Sequence, residues 1–317
     1  MNKNYYTPFT RFFLFLFFVN QCNLLNSQEL NLITLKDYNL KGKVQHCIVS
    51  ADYGNEEFYF NQDRVLTKAI TRYGEEDYSV TVYAIKDKTL IQKNIEVYND
   101  GELDKSVSLA HAYEIRINSQ GKTITERIVN FKNELFDTYK YIYDKDNRLI
   151  KIIRNNDKGI SETDIVYETG DKGKIVKEVH LAGADTLKVI KRLTPKIDHK
   201  EGAYEELIAI YANNQPDMAH LRFIDSTGKV IFEEKLQAGN KNPYRYYSKT
   251  KKKYVYNENG DVIEEREYQK KTLVKKSIYE YEYEDFGKDT SKPVNWIRKT
   301  EKNTKNSITR RIEYFLD

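Results

Sequence analysis

The chain has 317 residues, 52 of them basic and 48 acidic, for a formal charge of +4. That near balance excludes the strongly basic surface of a nucleic-acid binder, and a chain 32% charged and 39% hydrophobic carries a wet surface of mixed sign. Two cysteines exclude a disulfide scaffold, and 26 tyrosines against 2 methionines and 1 tryptophan favour strands over helices.

Residues 1–27 read as a signal peptide. Lys3 and Arg11 are basic, no acid precedes Glu29, and the apolar run Phe12–Val19 falls far short of the roughly 20 residues that span a bilayer. Cleavage after Ser27 leaves a single domain, 28–317, exported to the periplasm, cell surface or exterior, with no transmembrane helix in the mature chain. Losing Lys3 and Arg11 brings the charge to +2. A lipoprotein through Cys22 is the weaker alternative, since Val19-Asn20-Gln21 lacks the small residue usual beside a lipidated cysteine. Cys47, in Val44–Val49, is then the one remaining cysteine and reads as a buried strand residue, with neighbouring His46 on the opposite face.

Period-2 alternation runs through Thr81–Ile85, Thr123–Val129 and Tyr279–Glu284, the last placing three tyrosines on one face and three glutamates on the other. Polar turns stand between such runs: Tyr98–Gly101, Asn118–Gly121, Asp225–Gly228 and Asn257–Gly260. Four polar residues ending in Gly suit a type I turn whose last residue has φ > 0, a hairpin with a bulge, and Asn147 fills that place in Asp144–Arg148. The combination recurs as a phrase: Tyr141-Ile142-Tyr143-Asp144 running to Ile150, Tyr254-Val255-Tyr256-Asn257 running to Ile263, and Tyr281-Glu282-Tyr283 again. Units around Phe60, Tyr98, Ile117, Tyr143, Tyr167, Phe223, Tyr256 and Tyr283 cover most of the chain. The interval 191–216, with Pro195, His199, Gly202 and Pro216, fits worst and is expected to hold an irregular insertion, Glu205–Tyr211 being either a strand or a short helix. The fold expected is all-β: an extended antiparallel meander of repeated hairpins, curled into a twisted sheet, spiral or open barrel, with tyrosine ladders and facing Lys–Glu pairs.

The Tyr-Xaa-Tyr-Asp/Asn phrase with its Gly or Asn turn resembles the YD repeat of the RHS family, best at Tyr141–Ile152 and Tyr254–Glu265. The unit from Tyr281 to Lys299 and the opening Leu40–Val44 resemble small exported Bacteroidetes proteins of that type. The resemblance implies a β-rich, wound surface on an exported protein. It supplies no catalytic residues.

Ordinary readings outweigh catalytic ones elsewhere. His46, His111, His180, His199 and His220 are scattered, without zinc-site spacing. Asp144–Arg148 and Asn257–Asp261 alternate oxygens as calcium loops do, but Arg148, Val262 and Tyr268 stand where an EF-hand needs an oxygen ligand, a glycine and a bidentate glutamate. No catalytic residue, metal ligand or cofactor-binding residue is assigned. The candidate binding surface is Lys241, Tyr244, Arg245, Tyr246, Tyr247, Lys249, Lys251, Lys252 and Lys253, where basic and aromatic groups that can hold polyanions or sugars interleave. The functional expectation is a non-enzymatic β-repeat protein that binds or scaffolds at the cell envelope, with an unidentified protein or glycan partner and no nucleic acid. The alternative is a carbohydrate-active enzyme or a glycan-binding accessory module.

Overall fold

A computed structural model of the chain describes residues 32–52, 54–132, 134–194, 203–239, 242–285 and 294–316. The leader expected at 1–27, Cys22 and His199 lie outside them. A 3-10 turn, η1 (Leu35–Tyr38), precedes β1 (Val44–Ala51), β2 (Gly54–Phe60), β3 (Leu66–Arg72), β4 (Tyr78–Lys86) and β5 (Thr89–Asn99). The meander continues through β6 (Glu102–Leu103), β7 (Leu109–Asn118), β8 (Gly121–Asn130), β9 (Leu135–Tyr143), β10 (Leu149–Asn156) and β11 (Gly159–Thr169). After a second 3-10 turn, η2 (Asp171–Gly173), come β12 (Ile175–Ala182), β13 (Asp185–Leu193), β14 (Tyr204–Ala212), β15 (Gln215–Ile224) and β16 (Val230–Ala238). The last five are β17 (Tyr246–Tyr256), β18 (Val262–Gln269), β19 (Thr272–Tyr283), β20 (Trp296–Glu301) and β21 (Ser307–Tyr314).

Each strand pairs antiparallel with the next, except that two-residue β6 hangs on the end of β5 and β7 takes the place beside it. The last strand then returns to the first, Cys47 opposite Ile312 and Val49 opposite Arg310. The meander is thus a closed barrel of 20 strands with no free edge. At about 4.8 Å per strand its circumference is roughly 96 Å. Residues 191–193 end β13 and 204–212 form β14, so Glu205–Tyr211 is strand and the pairing continues through this interval, with Lys191 opposite Leu207. Residues 195–202 lie outside the described part.

The phrase read in the sequence has one geometry, repeated at one end of the barrel. In the turns after Phe60, Tyr143, Thr169, Ile224 and Tyr256 the first residue donates its N–H to the carbonyl four places on, as Asp144 does to Arg148 at 2.9 Å and Asn257 to Asp261 at 2.9 Å. The left-handed fourth position is filled by Arg64, Asn147, Gly173, Gly228 and Gly260. Tyr98–Gly101 and Asn118–Gly121 depart from the expected type: Asn99 pairs directly with Glu102 and Asn118 with Gly121, so both are two-residue hairpins. Gly121 there opens β8, and a Cβ on it would stand 2.1 Å from the Tyr143 carbonyl oxygen, so the close approach of β9 requires glycine.

In each strand that follows these turns, the second residue is an extra one. The pairing steps over Thr67, Ile150, Val176, Ile231 and Ile263, and over Ile297 after the longer connection from β19. All are β-branched, the residue class that tolerates a bulged, extended backbone. The bulge turns aside a carbonyl, which a tyrosine of the neighbouring strand then satisfies. Tyr167 donates its hydroxyl to the Leu149 carbonyl, Tyr256 to that of Val230 and Tyr281 to that of Val262, each at 2.8 Å. Tyr256→Phe, which removes only this donor, is expected to cost about 1 kcal/mol in urea denaturation. Exposed Tyr244→Phe should cost nothing; equal losses at the two positions would refute this role.

The tyrosine face is the enclosed one. The Tyr38 ring packs 4.2 Å from that of Phe58 on β2, while adjacent Asn39 donates to Asp261, at the foot of β18, at 2.6 Å. Those strands stand five places apart around the sheet, roughly 24 Å along it. Two consecutive residues reach both because the sheet curls around them, with Phe58 and Tyr283 inward. Strand pairing carries this parity around the ring, so Tyr83, Tyr113, Tyr141, Tyr167, Tyr254 and Tyr281 all face the interior. The segment 33–43 lies across one end. Leu35, Leu40, Val44, Cys47, Phe58, Phe60 and Leu66 form one buried cluster there. A second, of Ile124, Tyr141, Tyr143, Leu149 and Ile165, lies in the wall of β8–β11.

Candidate functional site

The proposed surface stretch does not stay together. Lys241 lies outside the described residues, and Tyr244 is exposed in the turn before β17, where the Arg245 guanidinium stands 5.4 Å over the Tyr247 ring. Within β17, alternation divides the rest. Lys251 and Lys253 point outward, Lys251 4.2 Å over Phe232 and 3.9 Å from Glu234, and Lys253 5.7 Å over Tyr268. Lys252 points inward and pairs with Glu265 at 2.8 Å. Tyr246 turns outward, Tyr247 inward, and Lys249 is exposed where the pairing with β16 shifts register.

Ionisable groups converge instead on the enclosed wall, in an arrangement the spacing of the histidines does not suggest. Glu126 of β8 is its clearest centre. Its Oε1 accepts from His111 Nδ1 at 2.8 Å and the Tyr113 hydroxyl at 2.9 Å, and its Oε2 from the Tyr141 hydroxyl at 2.9 Å. Burial pushes the Glu126 carboxyl up, but these three donors outweigh it and hold the group below the usual carboxylate range. The same contacts, with burial foremost, raise both phenols, which act as donors only.

Two further pairs repeat the motif. His180 Nε2 meets Glu178 Oε1 at 2.5 Å across one turn of pleat on β12. His220 Nε2 lies 3.4 Å from Glu233 Oε2, while the Tyr254 hydroxyl donates to Glu233 Oε1 at 2.6 Å. The His220 contact first, and Tyr254 with it, hold Glu233 down to about 2 against its burial. On the outer face His46 stacks 4.1 Å over Tyr59, between Glu57 and Glu313. Every described histidine therefore stands beside a glutamate.

At the covered end, Asp261 accepts from Asn39 and from the Tyr283 hydroxyl at 2.8 Å. Asn295 Nδ2 donates to the Lys41 carbonyl at 2.9 Å and to the Tyr314 hydroxyl at 2.8 Å. The Arg310 guanidinium lies 3.6 Å over Trp296 and donates to the Tyr38 carbonyl at 2.9 Å. Cys47 is buried beside it, and burial pushes its thiol up to about 11, where it is inert as a nucleophile.

The oxygen-rich turns hold no cation site of their own. Asp144 Oδ1 accepts the N–H groups of Asp146 and Arg148 at 2.9 Å and its Oδ2 faces the Arg148 guanidinium, so its lone pairs close the turn itself. Asp225 does the same for Thr227 and Lys229. Among the described residues no group of three or more His, Cys, Asp and Glu side chains is placed to hold a metal, and no helix is long and apolar enough to cross a membrane.

No known family profile matches the chain, and no curated protein matches it. Among solved structures it is similar to a porin-like protein from Bacteroides uniformis ATCC 8492, at 6% identity over 85% of this chain and 98% of that one, with a TM-score of 0.31.

Proposed function

We propose that this chain is an exported, non-enzymatic barrel of the cell envelope that binds a solute on its enclosed wall and serves there as a scaffold. The observation that carries the reading is the state of four carboxylates of the wall. Glu126, Glu178, Glu233 and Asp261 are each engaged by histidine, tyrosine or asparagine donors. Groups held this way position a surface; they are not poised to shuttle protons between solvent and substrate. The wall also combines tyrosine rings with polar groups, as surfaces that hold sugars and other polar solutes do. The alternative, a carbohydrate-active enzyme, needs two carboxylates free to act as acid and base across a bond, and the engaged set does not favour it.

The outer face supports a barrel standing in water. Its strands carry Lys151 with Glu162 at 2.8 Å, Lys276 with Glu264 at 3.0 Å and Arg298 with Glu282 at 3.3 Å, where a lipid-spanning barrel carries an apolar band. The resemblance to exported YD-repeat proteins agrees with export. An array of neutral and anionic glycans probed with the full chain tests the binding reading: retention of a glycan without cleavage is expected. Release of shortened products would replace it with the enzymatic alternative, and no retention of any glycan would refute it.

A further inference from the structure

The wall's acids and bases are not treated alike. Glu126, Glu178, Glu233 and Asp261 are held by neutral donors and by histidines, while several of its cations make no ion pair among the described residues. Lys93 on β5 faces His111 in register, and Lys188 on β13 faces His180 in register. In each case the acid whose charge acts on the lysine is the one the histidine already holds, Glu126 for Lys93 and Glu178 for Lys188. At the covered end the pattern returns. The acid that acts most on Lys299 is Glu265, which is paired with Lys252, and Asp261, which acts on both Lys299 and Arg310, is taken by Asn39 and Tyr283. Lys299 lies over the rings of Tyr279 and Tyr281, at 4.1 and 5.9 Å, and makes no ion pair among the described residues; nor do Lys93, Lys188 and Arg310. Burial lowers all four from their ordinary values.

The three lysines are half-buried and, by strand pairing with Tyr83, His180 and Tyr281, stand on the enclosed face. They also divide the circumference nearly evenly. Around the closed ring Lys93 and Lys188 stand seven strands apart, Lys188 and Lys299 seven, and Lys299 and Lys93 six. A partly desolvated cation without a counter-charge is costly to maintain. Three of them, spaced around an enclosed wall and in ion-pairing contact with none of its described acids, offer the interior cationic donors for an anion.

From this we infer that the barrel's enclosed wall is an anion-binding surface, with Lys93, Lys188 and Lys299 contacting the carboxylate or phosphate groups of a solute that enters it. The inference rests on the reading of the barrel as a solute-binding protein and names the charge of what it binds. Arg310, covered by the Tyr38 carbonyl and Trp296, is a second rank of the same potential rather than a contact.

The test is calorimetric titration of the full chain, at low and at physiological salt, with hexagalacturonate, inorganic tripolyphosphate and neutral maltohexaose. Both anions are expected to bind, more weakly at the higher salt as screening requires. Each of Lys93→Gln, Lys188→Gln and Lys299→Gln should weaken binding about tenfold, the loss of one charge-assisted contact. The outer-face pair Lys251→Gln/Lys253→Gln should leave it unchanged. Since an interior variant can fail for reasons of folding, the unaltered protein supplies a second readout: bound tripolyphosphate should protect Lys93, Lys188 and Lys299 from acetylation while Lys251 and Lys253 react. Anion binding that survives all three inner substitutions, or protection confined to outer lysines, overturns the inference. Binding of maltohexaose alone overturns it while leaving the solute-binding reading intact, and binding of none of the three refutes both.

Discussion

Glu126→Gln is expected to destabilise the barrel by about 3 kcal/mol, the largest effect of any single polar substitution in the wall. The variant keeps the shape of the side chain and one carbonyl acceptor. It turns an amide N–H₂ toward either the Tyr141 hydroxyl or the His111–Tyr113 pair, all of which are donors to Glu126. One set of buried donors therefore loses its acceptor, and the other trades a charged acceptor for a neutral one. The pH dependence separates this cause from packing. The folded-state pKa of Glu126 lies below its ordinary value, so its contribution is fully present above the unfolded carboxyl's range and is lost as pH falls through the folded pKa. Urea denaturation of both proteins at pH 7 and at pH 3 should show the gap between them narrowing at the lower pH. A gap of the same size at both values would assign the loss to packing instead.

Deletion of β21, by ending the chain before Ser307, should abolish the monomer altogether. This strand pairs with β20 on one side and β1 on the other, and it carries Ile312 and Tyr314 into the cluster beneath the N-terminal segment. Its loss leaves β1 and β20 as exposed edges, each a template for pairing with another chain. Light scattering after size exclusion should find oligomers or aggregate. A monodisperse monomer with the parent's circular dichroism would mean that closure contributes little.

How far the sequence discloses this molecule depends on the range of each interaction. Alternation at Tyr279–Glu284 and the turns at Asp144, Asp225 and Asn257 are local, set by pleat and by backbone sterics, and the structure follows them closely. The bulges at Ile150, Ile231 and Ile263 were also legible, as a β-branched residue three places after each turn's left-handed position. His180 and Glu178, two apart in one strand, share a face by the same period-2 rule. The pairing of His111 with Glu126 is of another kind, since it needs the two-residue register of Asn118–Gly121, whose four polar residues suit more than one turn. Closure was out of reach: nothing near Cys47 or Ile312 marks them as partners, and their meeting depends on twist summed over the whole meander. For the same reason the lysines between Lys249 and Lys253 look like one surface in the sequence, whereas the wall and the outside divide them.

The seam between β1 and β21 is antiparallel, and that single fact constrains how such a molecule can change size. Removing or adding one strand would bring the ends together in parallel, reverse the direction of every later strand and leave the seam without its register. A whole hairpin can be gained or lost without either penalty, because direction and facing are both restored after two strands. The barrel's natural unit of growth is therefore the hairpin, and its bore is adjustable only in even steps. A duplicated β17–β18 unit, which carries its own turn, bulge and tyrosine tie, would widen the ring while leaving each remaining strand beside partners of the kind it already has.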